Sequence, residues 1–213
     1  MSVRDFFHRR SKVESSVLKE AIRRYTGDSA LRFALDPSAP ERQEREIISV
    51  VTKVRDFESL FAGATLANVG QIMNRYYAVI AETMMHSEGD VSEFCGPTIV
   101  AHFGLHRQVK DVTMMLGAVS SEFSAAASSL ESEFGVHIGM GMCRGTVLYG
   151  NFGSSNRIAY RAFGPPILCA ERSATLDGGL NVCELLARSV SFAGPRADAG
   201  ISVQPHWEPQ APT

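Results

Sequence analysis

Nowhere in the 213 residues does an uninterrupted apolar run approach the length a membrane-spanning helix requires, about 18 residues. The first ten residues carry charge where a secretory leader would be apolar. The expectation is a soluble, cytoplasmic protein. Cysteine is scarce: Cys95, Cys143, Cys169 and Cys183 have neither the close pairing of a zinc knuckle nor the density of a secreted disulfide scaffold. They read as reduced, mostly core-filling thiols, so no metal and no cofactor is expected. Excess charge of one sign is also missing. With 21 Lys and Arg against 23 Asp and Glu the net charge is −2, which gives no bulk reason to bind nucleic acid or an anionic membrane. The basic cluster Arg4, His8, Arg9, Arg10 and Lys12 is the local exception.

What is present is apolar content, 45% of the chain, enough for one good-sized core and one domain with appendages. Ser11 and Glu14 form a capping-box pattern, Gly27 stands as a stop, and Val13, Val17, Leu18, Ala21, Ile22 and Tyr25 make one stripe at helical spacing. That stripe needs a surface to cover it, either the domain body or the same helix of a second copy. Asp36-Pro37, Ala39-Pro40 and dense charge suggest a linker over 28–45.

The organising stretch follows. Ile47 to Phe57 is a strand-like apolar run, and Leu66, Val69, Ile72, Met73, Tyr76, Tyr77, Ile80 and Met84 then recur at helical spacing. Gly89 to Gly104 reads as a hairpin pivoting on Gly96-Pro97. A third helix is expected from about His106 to Phe134, and then two more strands up to Gly164. Prolines 165 and 166 suit the first turn of another helix. A last strand is expected past Asn181 through Phe192. The polar, Pro-rich stretch from Pro195 to Thr213 reads as a tail. Strand, helix, hairpin, helix, hairpin, helix, strand spells a ferredoxin-like α+β fold. It implies a twisted, antiparallel-rich sheet of six or seven strands with helices on one face. The divisions are 1–43 for the N-terminal helix and linker, 44–194 for the domain and 195–213 for the tail.

Within this frame, Gly141, Gly145, Gly150, Gly153, Arg157, Tyr160 and Gly164 keep a spacing that resembles the catalytic domain of class III adenylate and guanylate cyclases. Thr52 to Leu60 resembles that family's first strand and Glu93 to Gly104 its hairpin. The resemblance covers about residues 44–192. It implies a two-metal nucleotide site shared between two copies, and several of its positions are changed here. The two metal-binding aspartates fall at Lys53 and Pro97, the base-selecting lysine and aspartate at Glu93 and Pro165, and the asparagine of the transition-state pair at Leu168. Arg172, the other member of that pair, remains as a vestigial catalytic residue. Neither an ammonium nor a proline can replace a carboxylate that clamps two divalent cations on a triphosphate. Asp56 and Glu58 replace a glycine and a threonine next to the phosphate position, where they would cap the following helix and repel a triphosphate.

The expectation is an inactive, pseudoenzyme form of the cyclase domain acting as a dimeric signalling or regulatory module. It would pair with itself, or in a heterodimer with an intact cyclase or another signalling protein. The alternatives are a cyclase of altered metal and substrate use, or a regulatory subunit of an intact cyclase. His102 and His137, in strand patterns, read as hydrogen-bonded structural residues. His8, His86 and His106 lie near element ends with no carboxylate at chelating spacing.

Overall fold

Strand β1, Arg42–Val54, has both of its edges paired, and the rest of the sheet is laid out from it. The computed structural model describes residues 16–21, 23–27, 30–32, 35–36, 40–154, 156–176, 179–190 and 201–205. After β1 come the short helix α1 (Leu60–Gly63), the long helix α2 (Leu66–His86) and the hairpin of β2 (Asp90–Cys95) and β3 (Thr98–Phe103). Helix α3 (Val112–Phe134), β4 (Ile138–Gly153), β5 (Ile158–Phe163) and α4 (Pro165–Ala174) follow. The chain closes with β6 (Leu180–Cys183), α5 (Glu184–Arg188) and β7 (Ile201–Gln204). The seven strands form one sheet in the order β2-β3-β1-β4-β6-β7, with β5 on the far half of β4. This is the expected mixed α+β fold with ferredoxin-like connectivity.

Ile47 to Thr52 is buried along its whole length, so both faces of β1 are covered. The two faces have different covers. Tyr76 of α2 shares a 2.8 Å hydrogen bond with Thr52 Oγ1, which puts α2, and α3 packed beside it, on the Thr52 face. A Cβ on Gly141 would collide with the carbonyl oxygen of Ala170, and Gly141 pairs with Val51. Adjacent residues of a strand point to opposite faces, so α4 lies on the Val51 face. Helices therefore sit on both sides of the sheet, which corrects the single helical layer expected from the element order. The signal was the glycine spacing itself. Gly139 and Gly141 bring the α4 backbone onto β4, and Pro166 sits over Gly145.

Three boundaries also differ from expectation. The charged run Arg42 to Glu46, which suggests a linker, is the partly solvent-facing half of β1, paired with β4 from Arg42↔Gly150 to Glu46↔Thr146. The last strand is short. Leu180 to Cys183 is fully buried, and Glu184 then starts α5, where Glu184 and Arg188 pair one turn apart at 2.5 Å. Within the stretch read as a tail, Ile201–Gln204 joins the sheet parallel to β6. Helix α3 begins at Val112 because the Asp111 side chain accepts from the Met114 N–H at 2.9 Å. The capping-box residues Ser11 and Glu14 lie outside the described residues. Of the N-terminal stripe, Val17, Leu18 and Tyr25 are exposed, so the domain body does not cover them.

Candidate functional site

The positions that the cyclase resemblance singles out start at the end of β1. Lys53 pairs across the ladder with Thr98 on one side and Gly139 on the other. The next residue, Val54, donates its N–H to the Pro97 carbonyl at 2.9 Å, and Arg55 donates to the His137 carbonyl at 2.9 Å. The hairpin tip is thereby fixed against the end of β1, and Lys53 and Pro97 stand side by side. Gly96 takes φ of +53° at this turn, which glycine tolerates best. The Tyr77 hydroxyl donates to the Gly96 carbonyl at 2.6 Å, and its ring lies 4.7 Å from that of Phe94. Tyr76 and Tyr77 thus act as packing residues, as expected of them: one ties α2 to the core and the other holds the hairpin tip.

Asp56 occupies the left-handed region at φ +46° and ψ +37°, a conformation that asparagine and aspartate tolerate better than other side chains do. Its side chain does not cap the turn that follows. Instead its backbone carbonyl accepts from both the N–H and the hydroxyl of Ser59, at 2.8 and 2.7 Å. This corrects the expected carboxylate cap. Phe57–Ser59 forms only a single 3-10 turn before the four-residue α1, so no long helix presents its N-terminus here. Asp56 and Glu58 are both exposed at this mouth.

The remaining positions lie elsewhere. Glu93 on β2 forms a 2.9 Å ion pair with Arg161 of β5, and the Arg161 guanidinium also reaches the Ser92 carbonyl. This contact exists because the paired arm of β1, β4 and β5 curls back over β2. Under the arm, Ile47, Leu105, Val147 and Tyr149 form a second small core. The His106, Tyr149 and Tyr160 rings lie 6.1 to 6.4 Å apart, and His106 faces Asp90 at 3.4 Å. Desolvation pushes the Tyr160 phenol up, assisted by Tyr149 and Asp90. A groove of about 960 Å³ opens here, lined among others by Arg107, Arg157, Arg161, Glu93 and Asp90. Pro165, Leu168 and Arg172 are exposed along one stripe of α4, whose C-terminal end at Ala174 lies over Gly139, the ladder partner of Lys53.

Two histidines differ from the expectation of hydrogen-bonded strand residues. His102 is buried with Nδ1 unpartnered, and burial pushes its pKa down to about 4. His137 is on the surface, 3.6 Å from Glu131. Sequence spacing also misses the tertiary neighbours of His86 and His106, which are Glu122 and Asp90, each at 3.4 Å.

No family model matches the chain. A solved structure of a bacterial light-regulated adenylyl cyclase superposes with a TM-score of 0.71, at 18% identity over 90% of this chain and 59% of that one. The adenylyl cyclase CyaB from P. aeruginosa gives 0.62, at 20% identity over 70% of this chain and 82% of its own. The fold is that of a class III nucleotidyl cyclase domain. An uncharacterised protein of Mycobacterium tuberculosis is 28% identical over 153 residues, which is 71% of this chain and 26% of that protein. This cyclase-fold chain therefore spans about a quarter of the length of that curated relative. Among the described residues no helix is long and apolar enough to cross a membrane.

Proposed function

We propose that this cyclase-fold domain does not turn over nucleotides and acts as a dimerising signalling or regulatory module. The observation that carries the reading is the adjacency of Lys53 and Pro97. The two positions where the fold's resemblance places metal-binding carboxylates meet at one corner, and that corner offers an ammonium and a proline. Hard divalent cations take oxygen ligands. Arg161 neutralises Glu93, so the base-selecting position is committed to an intrachain ion pair. Leu168 puts an apolar side chain one turn from Arg172.

The second part of the proposal is a homodimer formed through the arm. Phe163 is more than half exposed, and Leu148, paired in register with it, and Phe152, whose ring lies 4.7 Å from the Phe163 ring, continue the same apolar surface. A second copy would cover such a surface. The stretch preceding β1 then supplies a signal-carrying helix to the domain body, which runs from β1 through β7.

The test is a turnover assay of the purified chain with ATP, GTP, CTP and UTP, each with Mg²⁺ and with Mn²⁺, and the expected result is no cyclic nucleotide. Wild-type activity that disappears in Arg172→Ala would overturn the proposal and leave an enzyme of altered metal and substrate use. Activity that appears only on mixing with an intact cyclase, and is again lost in Arg172→Ala, would instead make the chain a contributing regulatory subunit.

A further inference from the structure

Three of the four cysteines, distant in sequence, meet on the α4 side of the sheet. Cys143 lies on β4 in line with Gly141 and Gly145, Cys169 comes down from α4, and Cys183 ends β6 where α5 begins. All three are buried, and their sulfur atoms lie within 4.8 Å of one another. Among the described residues this is the one place where three or more Cys, His, Asp or Glu ligand atoms converge so closely. A trigonal site with metal–sulfur bonds of about 2.3 Å holds its sulfurs about 4 Å apart. The cluster needs to contract by less than an ångström.

A second observation comes from β1. Ser49 is fully buried, its hydroxyl has no hydrogen-bond partner, and it stands directly opposite Cys143 in the β1–β4 ladder. Directly paired residues share a face, so this orphaned hydroxyl projects on the same side of the sheet as the thiols. It makes no hydrogen bond to a thiol as the trio stands, and contraction of the trio around an ion would offer it a sulfur acceptor, the kind of outer support that metal ligands carry.

We propose that Cys143, Cys169 and Cys183 form a three-thiol site for a soft, closed-shell metal ion of the Cu(I) class. Sulfur ligands select such ions. Among the described residues no fourth His or carboxylate converges here to complete the tetrahedral set that structural zinc takes. Cu(I) enters and stays Cu(I), so nothing is oxidised or reduced, and each thiol that coordinates as thiolate releases its proton to solvent. The site is closed by α4 and α5, so the ion is acquired as the chain folds.

The experiment refolds the full chain anaerobically with Cu(I), then challenges it with bathocuproine disulfonate and measures retained copper and its X-ray absorption. The expected result is one copper per chain with three sulfur neighbours. Affinity should fall at least about tenfold in Cys143→Ser, Cys169→Ser and Cys183→Ser and stay unchanged in Cys95→Ser, because Cys95 is exposed and away from the trio. If a cysteine variant does not fold, the wild-type coordination number decides alone. Copper lost to the chelator, a two-sulfur spectrum, preferential four-coordinate Zn²⁺, or a disulfide within the trio in freshly purified protein would each overturn the proposal.

Discussion

The Val54 N–H donates to the Pro97 carbonyl over 2.9 Å, fixing the tip of the β2–β3 hairpin at the end of the central strand. Because this bond is between backbone groups and Pro97 contributes only its carbonyl, the corner keeps its shape when the side chains change. Lys53→Asp with Pro97→Asp should therefore fold and gain a divalent-cation site, read as Mn²⁺ binding by calorimetry or paramagnetic relaxation. Triphosphate affinity should stay low until Asp56→Gly and Glu58→Thr are added, since two carboxylates at the mouth repel the phosphates. Asp56→Gly also relieves a left-handed backbone, so it should be neutral or stabilising by up to about 1 kcal/mol. A double variant that unfolds, or that binds Mn²⁺ no better than wild type, would remove the argument that only the side chains are missing.

The arm supplies the next prediction. Leu148→Asp and Phe163→Ser alter side chains that share one face of the arm and are 37% and 54% exposed, so each should leave thermal stability nearly unchanged while shifting light scattering from dimer to monomer. A wild-type chain that is already monomeric at high micromolar concentration would end the homodimer reading.

The element order was legible in the sequence because β-branched runs and helical stripes alternate in it without ambiguity. Which face each helix covers was not, because that depends on the track of glycines and alanines between β4 and α4, and small residues carry no hydrophobic period. Of the singled-out positions, Lys53 and Pro97 could be paired from the motif frame. The Glu93–Arg161 pair could not, since it forms only when the arm curls over β2. The strand Ile201–Gln204 was hidden for a simpler reason: four residues beside prolines look like a tail until β6 offers them an edge. The cysteine trio left no spacing signal, because its members sit on three separate elements.

Glycines offer a test of the packing account. A methyl group on Gly141 meets the Ala170 carbonyl and the backbone of α4, neither of which can yield without moving the helix. Gly141→Ala should cost about 2–3 kcal/mol or more, read by denaturant unfolding. Gly117, exposed within α3, meets nothing within 4 Å. Gly117→Ala should stabilise the protein by about 1 kcal/mol through helix propensity alone. Equal effects of the two changes would mean that α4 does not ride on the glycine track.

His102 gives the fold an acid-sensitive point whose sign can be worked out. Burial holds it neutral and lowers its pKa from the ordinary 6.5 to about 4, while in the unfolded chain it titrates near the ordinary value. Between those two values the unfolded state binds a proton that the folded state refuses. Stability should therefore be constant with respect to this group above pH 6.5 and fall as the pH is lowered through the window, with the loss complete near pH 4. At 1.36 kcal/mol per unit the full loss is about 3 kcal/mol, and it is not reduced by solvent screening because the ring is almost entirely buried. Other groups titrate in the same range, so the measurement must be a difference. Wild type and His102→Gln are unfolded in urea at pH 7 and near pH 4.5, and the destabilisation on acidification should be smaller in the variant by about 2–3 kcal/mol. Equal pH dependence in the two proteins would show that the ring takes up its proton in the folded state, with Nδ1 and the neighbouring Ser49 hydroxyl accommodating the charge across the β1–β3 ladder.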